Sequence, residues 1–212
     1  MDRRNDARYQ HVLNRLRDPA SGDVLLDLGC CVGQFIRQLS FDGVDESRLI
    51  GVDLYQSFIN IGYDLFRDRG RLRASFVAGD MLDPTDKGLQ ALDGKITIIH
   101  ANNFWHLFNW QHQVAIGVRA VSLLKRGGPR AMIYGRQIGR TKSVDSVHSV
   151  TMKKTSTSWL HNQESFQRLW DEVGAKTGTR WQVTMEFSGE MPWKIPGFAT
   201  DSKPARYGVY QL

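Results

Sequence analysis

Apolar residues recur along this chain in two rhythms. Short dense runs, such as Leu25-Leu26-Asp27-Leu28 and Ile96-Thr97-Ile98-Ile99-His100, have the length of buried strands. Between them, apolar residues return every three or four positions, as they do on a helix face. The pattern predicts strands over 24–28, 49–52, 75–78, 96–100, 131–134, 181–187 and 206–212. It predicts a first helix over 7–17, with Tyr9, Val12, Leu13 and Leu16 on one face, and a second over 33–40. A third helix carries Leu54, Phe58, Ile61 and Leu65 at helical spacing. Asn109 is placed to cap a fourth, with Trp110, Val114, Val118, Val121 and Leu124 as its buried stripe and Gly127-Gly128-Pro129 as its stop. A fifth, over 163–176, turns Phe166, Leu169, Trp170 and Val173 inward. Residues 139–160 are polar, basic and rich in Ser and Thr, and are expected to form a long loop or lid. A second loop is expected over 192–204. Strands alternating with helices predict an α/β fold on a mostly parallel sheet, in one domain covering 1–212 with a short helix inside 1–18.

Composition narrows the function classes. The chain has 212 residues, 41% hydrophobic and 24% charged, enough apolar material for one sizeable core. No run approaches the roughly 18–20 apolar residues of a membrane span, and the charged opening Met1-Asp2-Arg3-Arg4 leads into no apolar stretch. A cytoplasmic protein with no membrane partner is therefore expected. The two cysteines, Cys30 and Cys31, are adjacent, so neither a disulfide framework nor a metal cluster is expected. The net charge of +6 raises nucleic acid as a partner, but the basic residues are scattered. The densest run, Arg67, Arg69, Arg71 and Arg73, is broken by Asp68 and reads as a solvated helix end, so no nucleic-acid partner is expected.

The chemistry begins at Leu25-Leu26-Asp27-Leu28-Gly29-Cys30-Cys31-Val32-Gly33-Gln34, a strand that runs through a glycine-bearing turn into a helix. In open α/β sheets, ligands bind outside the carboxyl ends of the strands, at the point where strand order reverses. A dinucleotide fingerprint would need glycines at 29, 31 and 34, where this chain has Gly29, Cys31 and Gln34. A ligand without a pyrophosphate, held partly by a carboxylate, fits better, and Asp27 supplies the carboxylate. Asp53 closes the second strand, 24 residues after Gly29, and Asp80 follows the third. A single Asp at a strand end is usually a turn or cap residue, but three in register with one glycine turn describe a site.

The pattern Asp-Leu-Gly-Cys-x-x-Gly resembles the first motif of the class I S-adenosylmethionine (SAM)-dependent methyltransferases. That resemblance implies a Rossmann-like seven-stranded sheet with strand seven antiparallel, helices on both faces, and SAM as cofactor. It implies a cofactor set of Asp27, Gly29, Cys30, Cys31, Gly33, Asp53, Leu54, Asp80, Met81, Asn102 and Asn103. In it, Asp53 would take the ribose hydroxyls and Asp80 the adenine amino group, with Met81 beside the ring. Position 31, a cysteine here, is usually glycine in that family. The stretches Phe41-Asp42-Gly43, Gly62 to Arg69, Ala101-Asn102-Asn103-Phe104-Trp105-His106-Leu107-Phe108-Asn109-Trp110, Gly135-Arg136-Gln137 and Trp170 to Trp181 are similar to a narrower group, the fungal secondary-metabolite methyltransferases of meroterpenoid pathways. Those enzymes methylate carboxylates or hydroxyls of polycyclic natural products, usually with a longer segment ahead of the first helix.

The reaction expected on this resemblance is O-methylation of a carboxylate or hydroxyl on a small natural product. A carboxylate needs no base at neutral pH, whereas a hydroxyl does. His106 is the expected catalytic residue, as base or hydrogen-bond donor, with Trp105, His106 and Arg136 as substrate-binding residues. His100 reads as a core histidine. An RNA methyltransferase and a non-catalytic SAM-binding subunit are the rival readings, and a second copy of the chain stays among the candidate partners. No Asn-Pro-Pro-Tyr motif follows the fourth strand, which argues against an amine acceptor.

Overall fold

The computed structural model describes residues 6–127, 131–142, 145–146, 158–189 and 201–212. In chain order the elements are α1 (Ala7–Arg17), β1 (Leu25–Leu28), α2 (Gln34–Phe41), β2 (Leu49–Asp53), α3 (Gln56–Phe66), β3 (Ser75–Ala78), α4 (Lys87–Gln90) and β4 (Ile98–His100). They continue with α5 (Trp110–Leu123), β5 (Met132–Arg140), β6 (Asp145–Ser146), β7 (Ser158–Trp159), α6 (Gln163–Thr177), β8 (Trp181–Phe187) and β9 (Ser202–Gln211). The main sheet has seven strands in the order β3-β2-β1-β4-β5-β9-β8, and β6 pairs with β7 separately. The last strand, β9, runs antiparallel to both β5 and β8, as expected for strand seven. The described residues fall into two compact units, 1–100 with 122–131 and 101–121 with 132–212.

In the first unit, β1 pairs in parallel with β2 and with β4, and β2 with β3. Every side chain of β1 is buried, which explains the unbroken apolar run around Asp27. Helix α1 buries the expected face, Tyr9, Val12, Leu13 and Leu16. Helix α3 departs from expectation. Its buried residues are Ile59 and Gly62, while Leu54, Phe58, Ile61 and Leu65 are exposed, Leu65 by 64%. The reason is a close approach: a Cβ on Gly62 would collide with the Val32 carbonyl, so α3 rests on its glycine edge and the apolar stripe lies beside that contact.

In the second unit, α6 opens with a capping box between Asn162 and Ser165 and buries Phe166, Leu169, Trp170 and Val173 as predicted. Asn109 caps α5 by accepting from the His112 N–H at 2.8 Å. The buried face of α5 is rotated from the predicted stripe: in this unit Val114, Ile116 and Ala120 are buried, whereas Val118 and Val121 are half-buried. Strand β5 runs to Arg140 and β9 starts at Ser202, so residues 139–140 and 202–204 lie in strands rather than in the loops expected there. Short pairing over 145–146 and 158–159 also interrupts the expected lid. The remainder of that lid, 143–144 and 147–157, most of the 192–204 loop, and Gly128-Pro129 lie outside the described residues.

Candidate functional site

The turn after β1 is built by hydrogen bonds from every side. The Gly29 and Cys30 N–H groups both donate to the Val52 carbonyl, at 2.8 and 2.9 Å, and Gly33 N–H donates to the Cys30 carbonyl at 2.8 Å. Backbone φ is positive at Gly29 (+72°), Cys31 (+50°) and Gly33 (+68°). Two of these are glycine, which adopts this region freely, and the third is the cysteine that replaces the usual glycine. Asp53 braces the turn: one carboxylate oxygen accepts from the Cys31 N–H at 2.8 Å, and the other from the Tyr55 N–H at 3.1 Å. Each oxygen keeps a second lone pair for a further donor. Leu54, next to it, is 53% exposed.

Asp27 is 3% exposed, and its carboxylate lies 2.6 Å from His100 Nδ1. His100 is buried and its ring stacks on Phe35, with centroids 3.7 Å apart. Cys30 is also buried, and burial pushes its thiol pKa far up, with the Asp27 and Asp53 carboxylates adding to the shift. Cys31 is exposed.

Asp80 follows β3, and its side chain accepts from the Leu82 N–H at 2.8 Å, closing a local Asx turn. The Asp80 N–H donates to Asp86 at 3.0 Å, and Met81 is buried at 7% exposure. Asp27, Asp53 and Asp80 therefore stand at or just beyond the carboxyl ends of β1, β2 and β3.

Arg37 is the residue that sequence reasoning missed. Its guanidinium pairs with both Asp68 oxygens, at 2.6 and 2.9 Å, and donates to the Val32 carbonyl at 2.7 Å. It also lies over the Phe66 ring, 4.4 Å from the centroid. The signal was its place one turn into the helix that the glycine turn opens, together with the acid that breaks the arginine run. That run is locally engaged: Arg69 pairs with Asp64, Arg73 with Asp45 and Glu46, and Arg71 donates to the Arg67 carbonyl.

In the second unit, residues after β4 serve as backbone partners for β5. Ala101 N–H donates to the Tyr134 carbonyl and Asn103 N–H to the Arg136 carbonyl, at 2.9 and 2.7 Å. The Asn102 side-chain oxygen accepts from Arg136 N–H at 2.8 Å, and His106 Nδ1 accepts from Ile138 N–H at 3.4 Å. Asn103 has φ +52°, a conformation that Asn tolerates better than most residues. His106 is buried, and burial pushes its pKa down to about 4. Trp105, expected to line a substrate pocket, is instead a core residue. It is fully buried, donates to the Tyr207 hydroxyl at 3.0 Å, and packs edge-on against Phe166 and Trp170. Arg136 is half-buried and lies directly across from Arg206 on β9. Gln137, on the opposite face of β5, is buried, and neither end of its amide has a partner among the described residues. No group of side chains suited to a metal ion occurs among the described residues.

The strand order, the turn and the three strand-end carboxylates define a class, the Rossmann-like methyltransferases, and the comparisons agree. The methyltransferase domain family matches residues 25–128. A SAM-dependent methyltransferase from Methanosarcina mazei superimposes with a TM-score of 0.62 at 15% identity, over 95% of this chain and 96% of that one, a likeness of fold. O-methyltransferase phiE of a fungal species is 42% identical over 84% of this chain and 57% of its own length. Methyltransferase trt5 of Aspergillus terreus is 36% identical over 96% of this chain and 68% of its own length. This chain belongs to the family of fungal secondary-metabolite methyltransferases that these relatives represent. It spans less than three fifths of the length of the first of them.

Proposed function

We propose that this protein transfers a methyl group from SAM to a carboxylate oxygen of a small, largely apolar natural product. The observation that carries the cofactor half is the set of three carboxylates, Asp27, Asp53 and Asp80, at successive strand ends around a turn that adopts positive φ at three positions. Such a rim repels a pyrophosphate and suits a nucleoside bearing cationic groups, and SAM, when bound, supplies a methyl group on a sulfonium activated for displacement. Asp53 would hold the ribose hydroxyls through its spare lone pairs while its other contacts keep the turn in place. Leu54 would lie against the nucleoside, Asp80 would accept from the adenine amino group, and Met81 would pack beside the ring. Gly29, Cys30, Cys31 and Gly33 would present backbone rather than bulky side chains to the cofactor. Asn102 and Asn103 keep their assignment to the methionine end on the family resemblance alone.

The choice of a carboxylate acceptor rests on His106. A neutral imidazole has one donor and one acceptor nitrogen. Because Nδ1 faces the Ile138 N–H, the proton belongs on Nε2, and with its pKa pushed down to about 4 the ring is neutral at working pH. The free end of His106 is then a hydrogen-bond donor, suited to orient a substrate oxygen and poorly suited to remove a proton. A carboxylate needs no proton removed, and Arg136 would offer it a charged fork. The relatives named O-methyltransferase support transfer to oxygen.

Two assays test this reading. Calorimetric titration with S-adenosylhomocysteine (SAH), with NAD as control, should show binding of the first alone. Transfer of labelled methyl from SAM should be seen with carboxylic acids, and the corresponding alcohols should be poor acceptors. His106→Ala should slow transfer to a carboxylate by about tenfold through one lost hydrogen bond. Turnover of the alcohols with a steep rise near neutral pH would restore His106 as the base.

A further inference from the structure

We infer that His100 is a positioning residue for the cofactor's amino-acid end: it fixes the Asp27 carboxylate so that the other oxygen can receive a cationic group. The inference rests on the SAM reading above. Asp27 and His100 are register partners on the parallel strands β1 and β4, so their side chains leave the sheet on the same face. The carboxylate and the ring meet at 2.6 Å, and both residues are at most 4% exposed. Among the described residues, the side chain of Asp27 has one hydrogen-bond partner, His100, through Oδ1. A carboxylate only accepts, so Nδ1 carries the proton and the tautomer is set by the pair.

The ring is held in turn. His100 stacks on Phe35 with an interplanar angle of 22°, and Phe35 meets Tyr9 edge-on at 6.1 Å. Phe35 lies two residues after Gly33, so the stack joins the glycine turn, the helix it opens and the strand that carries His100. A pair of this kind is a poor device for stability, because apolar residues of similar volume pack there at no desolvation cost. Its position, at strand ends next to the turn, is where open α/β sheets bind ligands. SAM has two cationic groups, the α-ammonium and the sulfonium, both toward its methionine end. Asp53 and Asp80 are assigned to the uncharged ribose and adenine. Asp27 is the carboxylate left for the charge, and His100 sets its direction.

The test compares SAH, which keeps the α-ammonium, with 5′-methylthioadenosine, which lacks the amino-acid end. His100→Phe keeps an aromatic ring on Phe35 and removes the donor, and His100→Gln keeps a donor. Both ligands are titrated into each folded variant, with thermal melting as the check on folding and His100→Met in reserve should the Phe variant not fold. His100→Phe should weaken SAH by about tenfold or more, as expected for losing a charge-directed hydrogen bond, and leave methylthioadenosine within about twofold. His100→Gln should recover most of the loss. In an Asp27→Asn background, adding His100→Phe should change SAH affinity by less than about twofold, because the two residues act through one contact. Equal weakening of both ligands in His100→Phe, or an unchanged SAH affinity, would overturn the inference and leave a core histidine. Failure of the unmodified protein to bind SAH would instead overturn the cofactor reading.

Discussion

At the scale of single residues, the turn carries one exception to ordinary backbone preference. Cys31 sits at φ +50°, and its N–H is tied to Asp53. A β-carbon in this region costs roughly 1–2 kcal/mol, which the brace from Asp53 and the contacts of α3 must offset. The cost depends on branching, so position 31 should sort substitutions by shape. Cys31→Gly should keep or raise the thermal midpoint and leave SAH affinity unchanged, whereas Cys31→Val should lose about 1–2 kcal/mol of stability, measured by urea denaturation. Equal stability of the two variants would mean that the backbone at 31 does not hold the left-handed conformation in solution. The same scale explains why Asp80 taken alone would not mark a site. Its Asx-turn bond is the bland role that any strand-end Asp can fill, and one oxygen can serve both uses.

At the scale of elements, helix α3 shows how packing overrides periodicity. Leu54, Phe58, Ile61 and Leu65 are spaced as a buried stripe, yet α3 buries Ile59 and Gly62 and leaves the stripe exposed. A helix can rest on a glycine when a backbone carbonyl needs to come close, and Val32 does so here. Arg37 reinforces that docking, since it ties α2 to Asp68 just beyond α3 and holds the Val32 carbonyl. Surface positions away from such contacts tolerate change within about 0.5 kcal/mol. Ile61→Lys and Leu65→Lys should therefore leave the denaturation midpoint of the isolated chain almost unmoved, while Gly62→Ala should lower it clearly by forcing the helix off the turn. A large loss of stability from either lysine would show that the stripe is covered in solution.

At the scale of the whole molecule, buried histidines set the response to acid. Burial lowers His106 to about 4 and His161 to about 3, the latter also through the nearby Arg168 charge. Ordinary histidine titrates near 6.5, so between that pH and the lowered values the unfolded chain binds protons that the folded chain refuses. Stability is full above about pH 6.5 and falls as pH drops, by roughly 1.4 kcal/mol per pH unit for each such histidine. The carboxylates whose pKa is lowered extend the loss to lower pH, Asp23 and Asp201 among them, where burial pushes up but hydrogen bonds and charge, chiefly from Arg15 and Arg140, outweigh it. Denaturant midpoints measured from pH 7.5 down to 4.5 should decline steadily, and His161→Gln should flatten the slope. A flat profile down to pH 5 would mean that these imidazoles are hydrated.

The glycine turn and its three strand-end carboxylates were legible because their chemistry is local: a strand must end, a chain must turn, and few residues other than glycine do so at positive φ. The alternation of strands with helices and the buried faces of α1 and α6 followed from apolar rhythm, and the antiparallel last strand from family likeness, whereas the order of the strands came only from the structure. What the sequence by itself determined, then, is the turn 29–33, the carboxylates 27, 53 and 80, and the class of fold. Tertiary structure decided what those residues touch. It joined His100 to Asp27 across 73 positions, placed Trp105 in the core against Tyr207, and turned the apolar stripe of α3 outward. These outcomes depend on which surfaces approach one another, and periodicity records only that a residue is apolar, not which neighbour comes close enough to bury it.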